Sequence, residues 1–363
     1  MSDLHPSLLP NGLKDLLAPE AENEAVIINN CMGVFEAFGY QRIKPPLAEF
    51  EECLLAPGPG QSLSGKTFRM MDPVSGRMMG IRADTTAQIA RIAGSRLESE
   101  HRPLRLSYAV DVLRVKASQL RPDRQFCQVG CELIGAGSVM DDTEIALIAL
   151  QALSAAQIKN LSIDLTIPSL ADIIFDDHKL DAKGRDALNA LLQKRDRDGL
   201  DDHKKSKAAQ TLVSLLDASG MAQEAVQALQ KIKLPKAAQA QVQRLIAVYT
   251  QLTKALIAYD LMDINITFDL IERRGFEYQK GVSFTIFSKD VRGELGRGGR
   301  YDIQYQQIDK VESATGFTLY MDGMMQGYKG VTSHEYQVVD HDMDWKKIRE
   351  LQKSGEKVIR SKE

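Results

Sequence analysis

What most limits how this chain can fold is an interruption. Residues 104–116 and 126–134 read as extended runs, and so do 265–270, 281–287 and 315–320. Between these two sets, from about residue 176 to 260, Ala, Leu, Gln and Lys dominate, as in Ala187-Leu188-Asn189-Ala190-Leu191-Leu192 and Gln243-Arg244-Leu245-Ile246-Ala247-Val248. Most of these residues are strong helix formers. Strands, a helical block, then more strands predict an α+β fold in which one domain is interrupted by another. The expected division is 1–175 with 261–330 as the main domain, 176–260 as a helical insertion, and 331–363 as a short βαβ-like tail. A length of 363 residues has room for two or three domains and a sizeable core.

Local signals fill in the frame. Ala25, Ile28, Met32, Phe35 and Ala37 recur near the helical period, and Gly39 follows as a helix-ending glycine. Tyr40 to Ile43 alternates into Pro45-Pro46, a strand stopped by proline. Residues 67–83 form two short runs around Asp72-Pro73-Val74-Ser75-Gly76, a hairpin signal. Asp84-Thr85-Thr86 offers caps for a helix through Gln88, Ile89 and Ile92. A further helix is expected from about Asp142 to Ala155, capped by Asp141, Asp142 or Thr143. The tail reads as strand, helix, strand over 336–339, 344–353 and 356–359. No internal repeat is present.

Composition argues against several functions. No apolar run approaches the ~18 residues of a membrane helix. The opening Met1-Ser2-Asp3-Leu4-His5-Pro6 lacks the apolar stretch of a secretory leader, so a cytoplasmic location is expected. A net charge of −3 argues against a chain that wraps nucleic-acid phosphates. Four cysteines are too few for a disulfide scaffold of this size. Cys127 and Cys131 would need two more ligands to hold a metal, and no His or further Cys lies near; buried free thiols are the expectation. No cofactor is expected.

Two glycine-rich stretches look like phosphate loops and are not read as such. Gly60-Gln61-Ser62-Leu63-Ser64-Gly65-Lys66-Thr67 fits the P-loop expression letter for letter. That loop works only when a strand feeds it and a helix follows, so that amides and helix dipole converge on phosphate. Here Pro57 and Pro59 precede it and a hairpin follows. Gly293-Glu294-Leu295-Gly296-Arg297-Gly298-Gly299-Arg300 lacks the dinucleotide spacing and reads as close backbone approach or a bulge.

The segment from Arg114 to Glu132 carries more chemistry. Side chains alternate along a strand, so Gln128, Gly130 and Glu132 share one face while Val129 and Cys131 face the other way. A polar face within an apolar strand is either solvated or a site.

This segment resembles motif 2 of the class II aminoacyl-tRNA synthetases, in its histidyl-tRNA synthetase form: Phe-Arg-x-Glu, a loop, then Arg-Gln-Phe-x-Gln-x-Gly-x-Glu. Arg114, Arg124, Gln125, Phe126, Gln128, Gly130 and Glu132 match at unchanged spacing. Other pieces follow in order across nearly all of 10–325. Gly12, Asp15 and Pro19 resemble that family's opening. Phe38-Gly39-Tyr40 with Pro46 resembles motif 1, which builds its dimer interface. Ile81-Arg82-Ala83-Asp84-Thr85-Thr86 resembles Leu-Arg-Pro-Glu-x-Thr. Arg274-Gly275-Phe276-Glu277-Tyr278 resembles the histidine-binding Arg-Gly-Leu-Asp-Tyr, and Gly298-Gly299-Arg300-Tyr301-Asp302 matches Gly-Gly-Arg-Tyr-Asp. The resemblance implies an antiparallel sheet of class II type flanked by helices.

The departures fall on the nucleotide side. Motif 3 should read Gly-Phe-x-x-Gly-x-Glu-Arg, and this chain has Gly316-Phe317-Thr318-Leu319-Tyr320-Met321-Asp322-Gly323. Gly323 stands where the family has the arginine that grips ATP phosphate, a charge-assisted contact typically worth ~1.5–3 kcal/mol. Lys116 replaces the motif 2 glutamate, Pro122 takes a loop position that often carries arginine, and the stretch after Gly323 is too short for an anticodon-binding domain. The amino-acid side is better kept. A zwitterion needs an anion at its ammonium and a cation at its carboxylate. By resemblance Asp84, Thr86, Arg114, Gln128, Glu132, Arg274, Tyr278 and Tyr301 would bind L-histidine, with Arg274 at the carboxylate. Asp84 is a methylene shorter than the family's glutamate, and Gln279 replaces its second tyrosine.

A synthetase-like chain with an altered motif 3, an expected amino-acid site and no anticodon domain expected resembles the regulatory subunits of ATP phosphoribosyltransferase. That resemblance implies a non-catalytic, dimeric chain that partners a short-form catalytic subunit in histidine biosynthesis and takes part in histidine feedback, with no nucleic-acid or membrane partner. The alternative is a trimmed histidine-activating enzyme of synthetase type.

Overall fold

The computed structural model describes residues 8–117, 121–203, 205–273, 275–276, 278–305, 310–330 and 336–362. Its centre is a nine-stranded sheet in the order Gln41–Arg42, Leu104–Leu113, Gln125–Ile134, Lys310–Tyr320, Glu294–Tyr305, Gln279–Ser288, Leu161–Thr166, Asn265–Phe268, Gly220–Met221. Neighbours run antiparallel except for two short parallel pairs, Gln41–Arg42 on Leu104–Leu113 and Leu161–Thr166 on Asn265–Phe268. The strand Glu294–Tyr305 holds the glycine-rich stretch that the sequence suggested only as a close backbone approach or a bulge, and its register with Gln279–Ser288 does shift between Gly296 and Glu294. Glycines at 296, 298 and 299 hide its alternation, because they leave that run almost no apolar side chains to count.

Alternation gives the sheet two faces with different cores. Cys127, Val129, Cys131 and Leu133 join Phe284, Ile286, Phe317 and Leu319 in a large apolar cluster on one face. The helices Glu20–Ala37, Val139–Ala155, Lys236–Ala258 and Met321–Gly327 pack on that face. Phe35 meets Phe317 edge to face at 5.7 Å. The helix Val139–Ala155 is buried nearly all round, with Ile145, Ile148, Leu150 and Leu153 wholly covered. A helix can be apolar on every side only if it is sandwiched, here between sheet and Lys236–Ala258. Cys31, Cys127 and Cys131 are buried free thiols, and Cys53 is half-buried. The second face carries a smaller cluster of Leu104, Leu106, Tyr108, Val110, Ile134, Tyr301 and Ile303, closed by Ile89 and Ala90 of the helix Thr86–Ala93.

The block between residues 176 and 260 is helical, as its composition indicates: Ala182–Lys194, Arg197–Asp202, Lys207–Ala218, Ala222–Leu229 and Lys236–Ala258. Its leucines at 188, 192, 212, 215, 245 and 252 run into the same apolar cluster as the sheet. Arg244 on the last of these helices donates through Nε to Asp142 at 2.8 Å, and Arg300 on the strand Glu294–Tyr305 donates to the other Asp142 oxygen at 2.7 Å. A small second sheet, Ala48–Phe50, Met78–Ile81 and Phe68–Met71, contains the expected hairpin. The tail pairs Gln337–Val339 with Val358–Arg360 in parallel through the helix Trp345–Lys353. Among the described residues no helix is long and apolar enough to cross a membrane.

One cap differs from expectation. The helix Val139–Ala155 begins three residues before Asp142, and Ser138 is its N-cap. The Asp141 amide donates to Ser138 Oγ at 3.2 Å, while the Ser138 amide donates to the Asp141 carboxylate at 2.6 Å. This reciprocal capping box satisfies two end groups at once, so the acidic residues expected as caps sit inside the first turn. Ser138→Ala is expected to lower stability by ~1 kcal/mol in urea unfolding; no change in the midpoint would mean the box adds nothing.

Candidate functional site

On the second face of the sheet lies a cavity of about 200 Å³. Its floor exists because of glycine. Glu132 pairs across the strands with Gly316, and Gly316 pairs with Gly299. A Cβ at Gly316 would come within 1.8 Å of Glu132 Oε2, so only glycine leaves room for the carboxylate. Two residues back from Glu132 along the same strand, a Cβ at Gly130 would meet the Tyr108 hydroxyl at 2.7 Å. The polar face of the strand Gln125–Ile134 is therefore not solvated; every residue after Gln125 on that strand is buried.

Glu132 is 2% exposed. Thr86 Oγ1 donates to one of its oxygens at 3.2 Å and the Tyr301 hydroxyl to the other at 2.8 Å. Both described partners are neutral. Burial is the main force on this acid and pushes its pKa up to about 8; Tyr301 and Thr86 pull the other way, and nearby Asp84 adds to the rise. Burial and Glu132 in turn hold the Tyr301 hydroxyl firmly protonated, which keeps it a donor.

Asp84 lies in the turn between the strand Met78–Ile81 and the helix Thr86–Ala93. Its Oδ1 accepts from the Thr86 amide at 3.1 Å and its Oδ2 from Gln128 Nε2 at 2.9 Å. Gln128 Oε1 in turn accepts from the Thr85 amide and hydroxyl at 3.1 and 2.9 Å. Gln128 is fully buried and is not a wall residue of the cavity; it fixes Asp84 from behind. Asp84, Thr86, Arg114, Glu132, Tyr278 and Tyr301 do line the cavity together. Tyr278 stands edge-on to Tyr301 at 5.4 Å. Arg114 donates through Nε to the Ala83 carbonyl at 3.2 Å and comes to 4.0 Å from Asp84. Arg274 lies outside the described residues.

Sequence reading missed two cations on the walls, Lys66 and Arg297. A usable signal existed for Arg297: counting back by twos from Tyr301 puts Gly299 and Arg297 on the same face. Arg297 bonds to Glu294, and Gly275, at φ +77°, makes way for it, since a Cβ there would lie 1.6 Å from its Nη1. The P-loop-like segment holds a single 3-10 turn, Gln61–Leu63, and then enters the strand Phe68–Met71. A strand rather than a helix follows that loop, and Ser62, Leu63 and Lys66 form part of the cavity wall. Ser62, Gly275, Tyr278 and Gln279 also border a wider cleft of about 950 Å³ reaching toward the helix Ala182–Lys194. Among the described residues, no three or more His, Cys, Asp or Glu side chains are grouped as a metal ion would need.

A buried acid titrating near 8 has a thermodynamic signature. The native state keeps the Glu132 proton well above pH 4.5, where the unfolded chain has lost it, so this residue's contribution to stability is present below about pH 4.5 and lost as pH rises toward 8. For ligand-free protein, Glu132→Gln is expected to gain stability relative to wild type between pH 5 and pH 8 in urea unfolding. A constant gap would place Glu132 among ordinary carboxylates.

Known proteins resemble this chain along most of its length. The family model for histidyl-tRNA synthetase matches residues 12–324. A Rhodospirillum centenum protein described as an ATP phosphoribosyltransferase regulatory subunit is 47% identical over 324 residues, covering 89% of this chain and 81% of the relative. A protein of the same description from Gluconobacter oxydans is 38% identical over 96% of this chain and 88% of its own length. Among solved structures, a Bacillus halodurans protein described as an ATP phosphoribosyltransferase regulatory subunit/histidyl-tRNA synthetase superposes with a TM-score of 0.82 at 24% identity, covering 99% of this chain and 94% of that one. The synthetase-type sheet, and identity at this level over nearly the full length, lead to one assignment: this chain belongs to the family of ATP phosphoribosyltransferase regulatory subunits, built on the histidyl-tRNA synthetase fold.

Proposed function

We propose that the chain is a non-catalytic regulatory subunit that binds free L-histidine in the 200 Å³ cavity and conveys that occupancy to a short-form ATP phosphoribosyltransferase catalytic subunit. The observation that carries this reading is Glu132: a wholly buried carboxylate, held by two hydroxyls, on the wall of a cavity sized for a small molecule. A buried acid takes either a proton or a cationic ligand. The ammonium or imidazolium of histidine is such a ligand. Asp84 adds a second negative charge, Tyr278 and Tyr301 give aromatic walls, and Arg297 or Arg114 offers a cation for the carboxylate. Arg274 takes that last role if the sequence resemblance holds at that position. The loss of the motif 3 arginine at Gly323 supports the absence of a synthetase reaction. Self-pairing through the motif 1 region is part of the same proposal. Feedback through such a site must be reciprocal: if histidine weakens substrate binding at the partner, substrate weakens histidine binding by the same factor.

Calorimetry tests the ligand. L-Histidine is expected to bind wild type and to lose at least tenfold in affinity with Glu132→Gln. An ammonium that meets Glu132 displaces its proton, so binding near pH 7 releases close to one proton, read from the buffer dependence of the heat, whereas an imidazolium takes that proton onto the ring and little is released. Absence of histidine binding to wild type would overturn the ligand assignment. A second experiment tests the partner: a short-form catalytic subunit is expected to be active only after mixing with this chain, and less so with histidine present. Robust ATP–pyrophosphate exchange by the isolated chain with histidine would favour the synthetase alternative instead.

A further inference from the structure

Arg121 follows the strand Leu104–Leu113 on the loop into the strand Gln125–Ile134, and its side chain is only 12% exposed. Its guanidinium carbon stands 3.6 Å from the centroid of the Tyr320 ring and 5.9 Å from that of Phe126. Nη1 donates to Asp322 Oδ1 at 3.0 Å. Nη2 donates to the Glu294 carbonyl at 2.7 Å, and the Glu294 carboxylate lies 3.7 Å away. Tyr320 and Glu294 are wall residues of the cavity. A second guanidinium, that of Arg114, stands over Phe126 at 4.9 Å.

The place matters as much as the contacts. Asp322 precedes Gly323 in the helix Met321–Gly327, and a Cβ on Gly323 would lie 3.5 Å from the same Glu294 carbonyl that Arg121 holds. The neighbourhood from which a motif 3 arginine would reach out is thus served by a cation from the motif 2 loop, committed to two acidic residues. A purine needs an aromatic face to stack on, and a phosphate needs a cation free to meet it. At this end of the cavity a guanidinium already lies on Tyr320, and that cation is already bonded.

We propose, given the reading of the cavity as a site for free histidine, that Arg121 is a specificity-determining residue: stacked on Tyr320 and pinned by Asp322 and Glu294, it closes the nucleotide side. The cavity then takes a free amino acid and rejects the same amino acid joined to an adenosine. The rival role for Arg121 is that of a phosphate or base grip, and the two roles predict opposite effects of its removal.

The full chain is titrated calorimetrically with L-histidine, with adenosine, and with the non-hydrolysable conjugate 5′-O-[N-(L-histidyl)sulfamoyl]adenosine. Wild type is expected to bind histidine, to show no detectable adenosine binding, and to bind the conjugate at least tenfold more weakly than histidine. Arg121→Ala should keep histidine affinity within about twofold, gain measurable adenosine binding and tighten the conjugate at least tenfold. Asp322→Asn, which loosens the pin while leaving Arg121 in place, should shift the conjugate in the same direction by less. Weaker adenosine or conjugate binding in Arg121→Ala than in wild type, or no gain in either variant, would overturn the proposal. Failure of wild type to bind histidine would count against the histidine reading, while the adenosine comparison would still decide the role of Arg121.

Discussion

Everything about the candidate site depends on one acid being given room inside a sheet. Glu132 could not be buried on this strand unless its cross-strand neighbour were glycine, and Gly316 in turn faces Gly299 on the next strand. Three adjacent strands thus present one carboxylate and no competing side chain along a single row. The cost of burying that carboxylate is reduced by two hydroxyl donors and by a proton, which it holds well into neutral pH. A buried acid of this kind can exchange its proton for a small cation.

The sheet separates the large core from the cavity. Its helix-covered face carries the large apolar cluster, and residues there have little freedom to vary in volume. Its other face carries the smaller cluster and the cavity. The strand Glu294–Tyr305 joins the two at adjacent residues: Tyr301 bonds Glu132 on the cavity side, and Arg300 bonds Asp142 on the helical side. Asp142 is shared with Arg244 of the helix Lys236–Ala258. This run of hydrogen bonds connects the cavity wall to the helices through adjacent residues of one strand.

Much of this was legible in the sequence. The interruption of strands by a helix-forming block, the hairpin, the helix ending at Gly39 and the shared face of Gln128, Gly130 and Glu132 all follow from spacing and composition. The strand Glu294–Tyr305 was not legible, because glycines erase alternation by leaving no side chain to count. Nor was the Ser138 cap: the two aspartates beyond it are equally good capping residues, and only the path of the backbone selects one. Arg297 was legible only by counting back from Tyr301 through Gly299 on that same strand.

By itself, the sequence determined the class of fold, the order of its pieces, and the supply of paired acids and arginines from which a site for a zwitterion can be made. It also placed a glycine at position 323, where the synthetase motif it resembles has an arginine. Tertiary structure alone decided which of those groups meet. It moved Gln128 behind the wall, brought Arg297 onto it, and laid Arg121 across Tyr320 from a loop far away in the chain. The physical reason is that alternation fixes which face a side chain takes, while burial, reach and partner depend on strands that meet only after the chain has folded.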